Sequence, residues 1–406
     1  MQIVVLNDPV TGSSAQIAAH LGFNCFDFTA RVSDESVSVI HAADGFADGN
    51  QPPSHSGIPL LFPFPNRIRS GRYAWDGKDY ELPESLVGYE GAGNAIHGFC
   101  LDRPWRVLTQ TESSVTGVFQ ISKDAPERLP LWPADAEIEI CYSLNNACLR
   151  ADIEVRNPGD TPLPWGFGTH AYFKLPLSRN SDAEKCTVYA PVKKTWELTN
   201  CLPTGQLLDP PDDAMLDRSP RFGGLKVDDV YTSVESREGV VECKVTDEQA
   251  GLQMIQRCDD SFREIVAFTP PWATAVCLEP YTCTTDAINL QQQGVDAGLQ
   301  VLAPGEKWNG WIEIAVGTVG CERLLLDVRG QLHNGSELGL TALTPIPLKY
   351  RLTRSRAVSR PAKRACAFGC GLNDLPLEQT LTHRYWRFLS YCDTANFPIN
   401  SASPSD

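Results

Sequence analysis

Apolar and polar residues alternate with a period of two along much of the first three quarters of the chain. The segment 136–144 is the clearest case, because isoleucine, tyrosine and leucine occupy every second position from residue 138 onward. Such alternation predicts a half-buried β-strand. The segment 149–155 repeats the pattern, and Asn145 and Asn146 between the two segments favour a tight turn. We therefore predict an antiparallel hairpin here.

Other short apolar runs extend the same pattern. Segments 240–245 and 308–316 predict further strands, whereas 15–20 is the one short candidate for a helix and has little length to nucleate alone. Glycine, proline and asparagine separate the strands. Many short strands with such punctuation indicate a sandwich or barrel of antiparallel sheets.

Three stretches rich in proline or glycine are predicted to be loops. They cover residues 52–71, 88–98 and 202–224. Long loops on a β scaffold are either functional or disordered. Because the first two also contain arginine, asparagine and histidine, we expect them to face a ligand.

The last 87 residues differ from the rest in charge and in pattern. The 406-residue chain has a net charge of −15, but residues 320–406 hold 11 basic and 7 acidic residues, which leaves −19 on the remainder. A last strand is predicted at 324–328, followed by a basic segment without sustained periodicity. We predict a β domain over 1–319 and an irregular, partly disordered C-terminal extension over 320–406, whose role is open.

Composition excludes several classes of partner. A net charge of −15 repels phosphate backbones, so we expect no nucleic-acid partner. No apolar run approaches the roughly 20 residues that cross a bilayer, and the N-terminus lacks the basic start of a signal peptide. The 14 cysteines form no Cys-x-x-Cys pair and are interpreted as small buried residues in a reducing cytosol. We expect a cytoplasmic protein without membrane contact.

Two residues are candidates for acid–base chemistry. His170 lies among glycines and aromatic residues in the segment 165–173. Histidine is the side chain most easily tuned to exchange a proton near neutral pH. Glu279 follows an apolar run that begins near Ala273, and a buried carboxylate is costly unless it is paired or exchanges protons. On these local grounds alone, each residue fits a structural role as well as a functional one.

Further polar candidates lie in the two ligand-facing loops. His97 stands in a glycine-flanked loop, and Asn66 and Arg67 stand beside rigid prolines, where an amide and a guanidinium suit the hydroxyl groups of a small polar ligand. The chain has no Gly-x-Ser-x-Gly motif, no phosphate-binding glycine loop and no His-Glu-x-x-His motif. The candidate side chains therefore suit acid–base chemistry on a neutral polar ligand. This chemistry requires no metal or cofactor.

Four groups of residues carry a family resemblance. They are SGIPLLFPFPNRI at 56–68, NAIHGF at 94–99 with DRPW at 102–105, GTHAYF at 168–173, and EPY at 279–281 with TDAIN at 285–289. In this order and spacing, over residues 15–317, they resemble the aldose 1-epimerases, the galactose mutarotase-like family. The resemblance implies an all-β fold, a large antiparallel β-sandwich of the supersandwich type with an open cleft.

The resemblance also implies an activity. The protein is expected to be an isomerase that interconverts the α and β anomers of a free hexose such as glucose or galactose. His170 matches the acid that protonates the ring oxygen, and Glu279 matches the base that removes the proton of the C1 hydroxyl. Ring opening in this scheme begins with Glu279 ionised and His170 protonated, so we expect a bell-shaped pH dependence of the rate.

The substrate-binding residues follow from the same comparison. His97 and Arg67 match sugar-binding positions, and Asn66 joins them from the reasoning on the proline-rich loop. Asp228 matches an aspartate that binds a sugar hydroxyl, with its neighbour Asp229 as an alternative that the sequence leaves open. The expected partner is a small sugar; its identity and the oligomeric state are left open.

Three other functions compete with this one. A hexose-6-phosphate 1-epimerase would need extra cationic residues at the cleft mouth, and Arg67, Arg69 and Arg72 are clustered in sequence. A non-catalytic sugar-binding module would keep the cleft without turnover, although both His170 and Glu279 are present. A metal hydrolase is poorly supported, because the histidines lack a matching carboxylate at the usual spacing.

Overall fold

The computed structural model describes residues 1–320 of the chain. In this range the chain forms 26 β-strands, two short α-helices and six 3-10 turns. The strands are β1 (Ile3–Asn7), β2 (Ser14–Ala18), β3 (Asn24–Val32), β4 (Glu35–Ser38), β5 (Leu60–Leu61), β6 (Arg67–Ile68), β7 (Arg72–Trp75), β8 (Lys78–Glu81), β9 (Ala95–Ile96), β10 (Arg106–Gln110), β11 (Ser114–Gln120), β12 (Glu137–Asn145), β13 (Cys148–Arg156), β14 (Leu163–Trp165), β15 (Gly168–Thr169), β16 (Tyr172–Lys174), β17 (Thr187–Tyr189), β18 (Lys194–Thr199), β19 (Leu202–Leu208), β20 (Asp228–Thr232), β21 (Val240–Asp247), β22 (Leu252–Asp259), β23 (Glu264–Phe268), β24 (Ala275–Tyr281), β25 (Gln300–Leu302) and β26 (Lys307–Thr318). The helices are α1 (Ile121–Asp124) and α2 (Ala287–Gln292), and the 3-10 turns are Phe46–Asp48, Arg69–Gly71, Pro126–Leu131, Ala183–Lys185, Asp212–Ala214 and Leu216–Arg218. The predicted all-β fold is confirmed.

Two large antiparallel sheets organise these strands. Sheet I has the order β10-β11-β12-β13-β26-β22-β21-β17, and sheet II has the order β19-β18-β20-β23-β24-β15-β5, with β16 also paired to β24. Strands β1 to β4 form a four-stranded sheet, and β6–β9, β7–β8 and β14–β25 form three small ones. The strand pairs within the two large sheets are antiparallel, as the sequence analysis expects.

The main core includes side chains from both large sheets. Sheet I contributes alternate residues such as Ile138, Ile153 and Ile314, and sheet II contributes Ile265 and Leu278. Burying one such side chain stabilises the fold by about 1.5–3 kcal/mol. The period-two pattern of the sequence therefore identifies the faces on which the sheets pack together as a sandwich.

The other face of sheet II carries a second set of buried side chains. Residues that pair directly in antiparallel strands point to the same face. Glu279 pairs with Val266, and Phe268 pairs with both Asp228 and Cys277. Because Val266 and Phe268 are two residues apart on β23, all five side chains share one face, which we call the site face.

The strands predicted from alternation are confirmed. The segments around 136–144 and 149–155 form β12 and β13, and those at 240–245 and 308–316 form β21 and β26. The hairpin turn lies one residue later than predicted, at Asn146 and Ala147, both of which adopt a left-handed backbone.

The helix predicted at 15–20 is wrong. Residues Ser14–Ala18 form β2, in which Ala15 and Ile17 are buried on alternate positions. Strand β2 pairs with β1 on one side and β3 on the other. A segment this short gains little from helical hydrogen bonds, whereas two neighbouring strands satisfy its backbone fully.

The loop predicted at 202–224 is partly wrong. Leu202–Leu208 forms β19, which makes a hairpin with β18 through Asn200 and Cys201. Both turn residues have positive φ, the conformation that a two-residue hairpin requires. The remainder, 209–224, contains two 3-10 turns and no named strand, and the loops predicted at 52–71 and 88–98 contain only the short strands β5, β6 and β9 and one 3-10 turn.

Several other expectations concern composition. All ten cysteines in residues 1–320 are free, and seven of them are buried, as predicted. The described part of the chain holds no helix long and apolar enough to span a membrane. The described residues end at 320. The strand predicted at 324–328 and the rest of the predicted extension therefore lie outside them, and the boundary between 319 and 320 stays a prediction.

Glu264 on β23 yields a test of the fold. Its side chain is fully buried, accepts a 3.1 Å hydrogen bond from Trp196 Nε1 and lies 3.6 Å from Arg263 Nε. Burial raises the pKa of Glu264 to about 8. The raised pKa means that folding favours the protonated form of Glu264. Its contribution to stability is fully present below the unfolded-state pKa near 4.5 and is lost as the pH rises through the folded-state pKa of about 8.

Between pH 5 and 9, wild type should lose about 4 kcal/mol of unfolding free energy relative to Glu264→Gln, as measured by urea unfolding. A pH-independent difference would contradict this.

Candidate functional site

His170 and Glu279 lie side by side on the site face. His170 connects β15 and β16, which both pair with β24, the strand that carries Glu279. His170 Nε2 is 3.3 Å from Glu279 Oε1. The two residues are 8% and 1% exposed. The local structure therefore brings together a buried proton donor and acceptor that can reach the same bound ligand.

Glu279 is held by Tyr281, two residues along the same strand. The Tyr281 hydroxyl donates a 2.5 Å hydrogen bond to Glu279 Oε2. Among residues 1–320, the other oxygen, Oε1, has no hydrogen-bond partner. A buried oxygen without a partner costs free energy. Oε1 is thus the atom of Glu279 that a ligand hydroxyl would meet.

Aromatic rings fix the orientation of His170. Its imidazole stacks on Tyr172 with centroids 4.7 Å apart and planes 14° apart, and the edge-on rings of His97 and Phe268 lie at 5.6 and 6.0 Å. Tyr172 is itself anchored, because its hydroxyl donates a 2.8 Å hydrogen bond to the carbonyl of Ser54. The imidazole plane is therefore set before any ligand binds.

The proline-rich loop contributes Asn66 and Arg67, and the glycine-flanked loop contributes His97. Arg67 Nη1 donates to Asn66 Oδ1 at 2.9 Å, and the His97 amide donates to the Asn66 carbonyl at 2.8 Å. Asn66 and His97 both have left-handed backbones, with φ of 54° and 67°. Such conformations cost energy and cluster at functional sites. Asp286 anchors this loop, since its amide donates to the Arg67 carbonyl and its carboxylate accepts from the Arg69 amide.

The pleat of β20 separates the two aspartates. Asp228 shares the site face with Glu279, whereas Asp229, the next residue, points to the opposite face. Burial alone would lower the pKa of Arg67, but nearby carboxylates, that of Asp228 first, raise it. Burial raises the pKa of Asp229 to about 6, and the Asp228 carboxylate adds to this rise. Of the two aspartates, Asp228 is the one beside the site.

Burial shifts the pKa values of both members of the central pair. It lowers the pKa of His170 to about 3, with smaller effects of His55 and Arg67 in the same direction. It raises the pKa of Glu279 well above its ordinary value, against the hydrogen bond from Tyr281. Burial therefore disfavours the charged form of both residues. The charge state expected from the sequence, with His170 protonated and Glu279 ionised, does not include this cost of burying two charges.

The three clustered arginines are all close to carboxylates. Arg69 Nε lies 3.3 Å from Asp286, and Arg72 Nη2 lies 3.1 Å from Glu81. Arg67 Nε lies 4.0 Å from Glu90. A phosphate would have to compete with these existing partners.

One set of side chains in residues 1–320 has the spacing for a metal ion. Donor atoms of His170, Cys277 and Glu279 lie within 4.8 Å of one another. These donor types suit zinc, but cysteine binds it as the thiolate. Burial raises the pKa of Cys277 well above its ordinary value, and the Glu279 carboxylate adds to this. The expectation of no metal stays a prediction.

Comparison with known proteins identifies the family of this chain. The aldose 1-epimerase family profile matches residues 30–315, well over half of the chain. The chain belongs to the aldose 1-epimerase family. Among curated relatives of this family member are two uncharacterized proteins of Escherichia coli strain K12: YihR, 24% identical over 60% of this chain and 74% of its own length, and YphB, 25% identical over 63% and 82%.

Solved structures show the fold of this aldose 1-epimerase family member. A galactose mutarotase-like protein from Clostridium acetobutylicum has a TM-score of 0.67 at 21% identity and covers 76% of this chain and 93% of its own. A homologue of GalM and aldose epimerase from C. elegans has a TM-score of 0.64 at 17% identity and covers 78% and 99%. The predicted galactose mutarotase-like sandwich is confirmed.

Two side chains of the site were not singled out from the sequence. Tyr281 binds Glu279 and Tyr172 supports His170, and each follows its partner by two residues. That spacing puts Glu279 and Tyr281 on one face of β24, whereas His170 precedes β16 and stacks on Tyr172, the first residue of that strand. Inspection of the i+2 positions next to each candidate would have found both tyrosines.

Proposed function

We propose that this aldose 1-epimerase family member interconverts the α and β anomers of a free hexose, such as glucose or galactose, without a cofactor. The observation that carries the proposal is the 3.3 Å separation of His170 Nε2 and Glu279 Oε1 in a buried site. An acid and a base so close together can act on the two neighbouring oxygens of a hemiacetal, the C1 hydroxyl and the ring oxygen.

The proposed reaction conserves the protons of the pair. With the sugar bound, His170 is protonated and Glu279 is ionised. Glu279 Oε1 accepts a hydrogen bond from the C1 hydroxyl. Glu279 takes that proton as His170 delivers its own to the ring oxygen, and the C1–ring oxygen bond breaks to give the open-chain aldehyde. Rotation about C1–C2 presents the other carbonyl face, and reclosure reverses both transfers.

The proposed substrate-binding residues surround this pair. The Arg67 side chain is 13% exposed and is held by its hydrogen bond to Asn66, so its guanidinium is suited to oxygen atoms of the sugar. The His97 ring lies against that of His170. Asn66 accepts hydrogen bonds from the Arg67 side chain and from the His97 amide. Asp228 lies on the site face. A set of amide, imidazole, guanidinium and carboxylate groups suits the hydroxyls of a neutral sugar.

Polarimetry of freshly dissolved α-glucose, α-galactose and α-glucose 6-phosphate tests the proposal against its rivals. We expect protein-dependent acceleration with at least one free hexose and a weaker effect with the phosphate, because Arg69 and Arg72 are already paired. Faster turnover of the phosphate would favour a hexose-6-phosphate 1-epimerase. Sugar binding without acceleration would favour a binding module.

The site of action is proposed to be the cytoplasm. Ten free cysteines in residues 1–320 fit a reducing compartment.

The pH profile follows from the buried pair. Activity requires one proton on the pair, so the rate should fall in acid as His170 titrates with its pKa of about 3. It should fall in alkali as the pH passes the raised pKa of Glu279. We expect a broad bell with a plateau through neutral pH, measured as kcat/KM after subtraction of the uncatalysed rate. An acid limb at pH 6–7, typical of an exposed histidine, would contradict the buried pair.

Tyr281→Phe tests the positioning of the base. The variant loses the hydrogen bond that lowers the pKa of Glu279. We expect kcat to fall about 10-fold, KM to change little and the alkaline limb to move to higher pH. An unchanged alkaline limb would mean that Tyr281 has only a structural role.

A further inference from the structure

Cys277 adds a thiol to the face that carries His170 and Glu279. It lies two residues before Glu279 on β24, so both side chains point to the site face. Tyr172 on β16 pairs directly with Cys277, and the His170 imidazole stacks on Tyr172. The thiol is therefore buried beside the proposed acid and base, although the proposed proton transfers do not use it.

The three side chains have nearly the spacing of a cation site. Donor atoms of His170, Cys277 and Glu279 all lie within 4.8 Å of one another, and His170 Nε2 is 3.3 Å from Glu279 Oε1. Tetrahedral zinc, with ligands at about 2.0–2.3 Å, holds those ligands roughly 3.3–3.8 Å apart from one another. A contraction of about 1 Å across the group would therefore complete three of the four positions.

The charges and the free donor atoms of the group also suit a dication. Among residues 1–320, Glu279 Oε1 is buried without a hydrogen-bond partner, and a cation would supply one. A thiolate and a carboxylate together neutralise a dication, so the complete group carries no net charge in its buried setting. Three protein ligands are the number found where zinc keeps its fourth position for a water molecule.

We propose that His170, Cys277 and Glu279 form an inhibitory site for a soft divalent cation of the zinc class. The cation occupies the atoms that transfer protons, so it competes with the sugar. Inhibition rests on the proposed function, whereas cation binding does not. Cysteine binds as the thiolate, and its proton leaves to solvent. Because this proton must be displaced, the cation is a reversible inhibitor that the reaction itself does not need.

Cadmium titration tests binding without reference to activity. Cd²⁺ bound to a thiolate gives a sulfur-to-metal charge-transfer band in the ultraviolet, and the band of this site should diminish as α-glucose or α-galactose is added. Cys277→Ala and the nearly isosteric Cys277→Ser should each lose this component and bind at least ~10-fold more weakly. Cys25→Ala, which removes an equally buried thiol from β3, is the matched control and should keep it.

Polarimetry tests inhibition, with each variant compared with its own metal-free rate. We expect Zn²⁺ to raise the apparent KM of wild type and to leave kcat unchanged, whereas Mg²⁺, which prefers oxygen ligands, should have no effect. Cys277→Ser should need at least ~10-fold more Zn²⁺ for the same inhibition.

The outcomes separate this site from the proposed function. Equal cadmium bands in wild type and both Cys277 variants would overturn the site, and acceleration by Zn²⁺ would overturn its inhibitory role. If wild type accelerates no mutarotation at all, the proposed function fails. The cadmium titration then decides the site by itself, since loss of the band in Cys277→Ser but not in Cys25→Ala supports it and retention in Cys277→Ser overturns it.

Discussion

Glu279→Gln is expected to lower the catalysed rate of anomer interconversion by at least ~10²-fold while sugar binding persists. Glutamine has the same shape and can still accept the hydrogen bond from Tyr281, but it cannot take the proton of the C1 hydroxyl. Polarimetry gives the rate, and calorimetric titration with the product mixture gives the affinity. The loss should appear in kcat and leave the affinity within a few-fold of wild type.

Glu264→Gln is the matched control for this variant. Glu264 is also fully buried, pairs directly with Tyr281 and lies on the neighbouring strand of the same sheet face. If proton transfer by Glu279 is the cause, Glu264→Gln should turn over sugar at the wild-type rate at pH 7. Equal losses in both variants would attribute the effect to disturbed packing and contradict the role of Glu279.

His170→Ala is expected to lower kcat by at least ~10²-fold, because no group remains to protonate the ring oxygen. The substitution also opens a space against Tyr172, on which the imidazole stacks. Added imidazole should enter this space and restore part of the rate in a saturable manner, above its own buffer catalysis. The same imidazole should not rescue Glu279→Gln. A His170→Ala variant with nearly wild-type activity would contradict the assignment.

The local alternation of apolar and polar residues predicts many of the strands but not how these strands pair with one another. The alternation in 136–144 predicts β12 because side-chain direction in a strand depends only on position. The prediction for 15–20 is wrong because the conformation of this segment depends on pairing with β1 and β3, and such non-local pairing leaves no mark within six residues. Sheet II is built from pairings of this kind, as when β5 and β24 both join β15.

At the site too, the sequence identifies candidate residues but not their spatial arrangement. The family resemblance identifies His170 and Glu279 as candidates, but their separation depends on β15 and β16 flanking β24. The choice between Asp228 and Asp229 needed the register of β20 against β23, which no spacing reveals. The pKa shifts of His170 and Glu279 could not be predicted either. Their main cause is burial, which is a property of the whole fold.

The most direct measurement is polarimetry of freshly dissolved α-galactose and α-glucose with increasing amounts of protein at pH 7. The approach to anomeric equilibrium should quicken in proportion to the concentration of wild-type protein for at least one of the two sugars, with the final rotation unchanged. Equal amounts of Glu279→Gln should quicken it at least ~10²-fold less. A rate independent of protein concentration for both sugars, with sugar binding demonstrated, would contradict catalysis by His170 and Glu279.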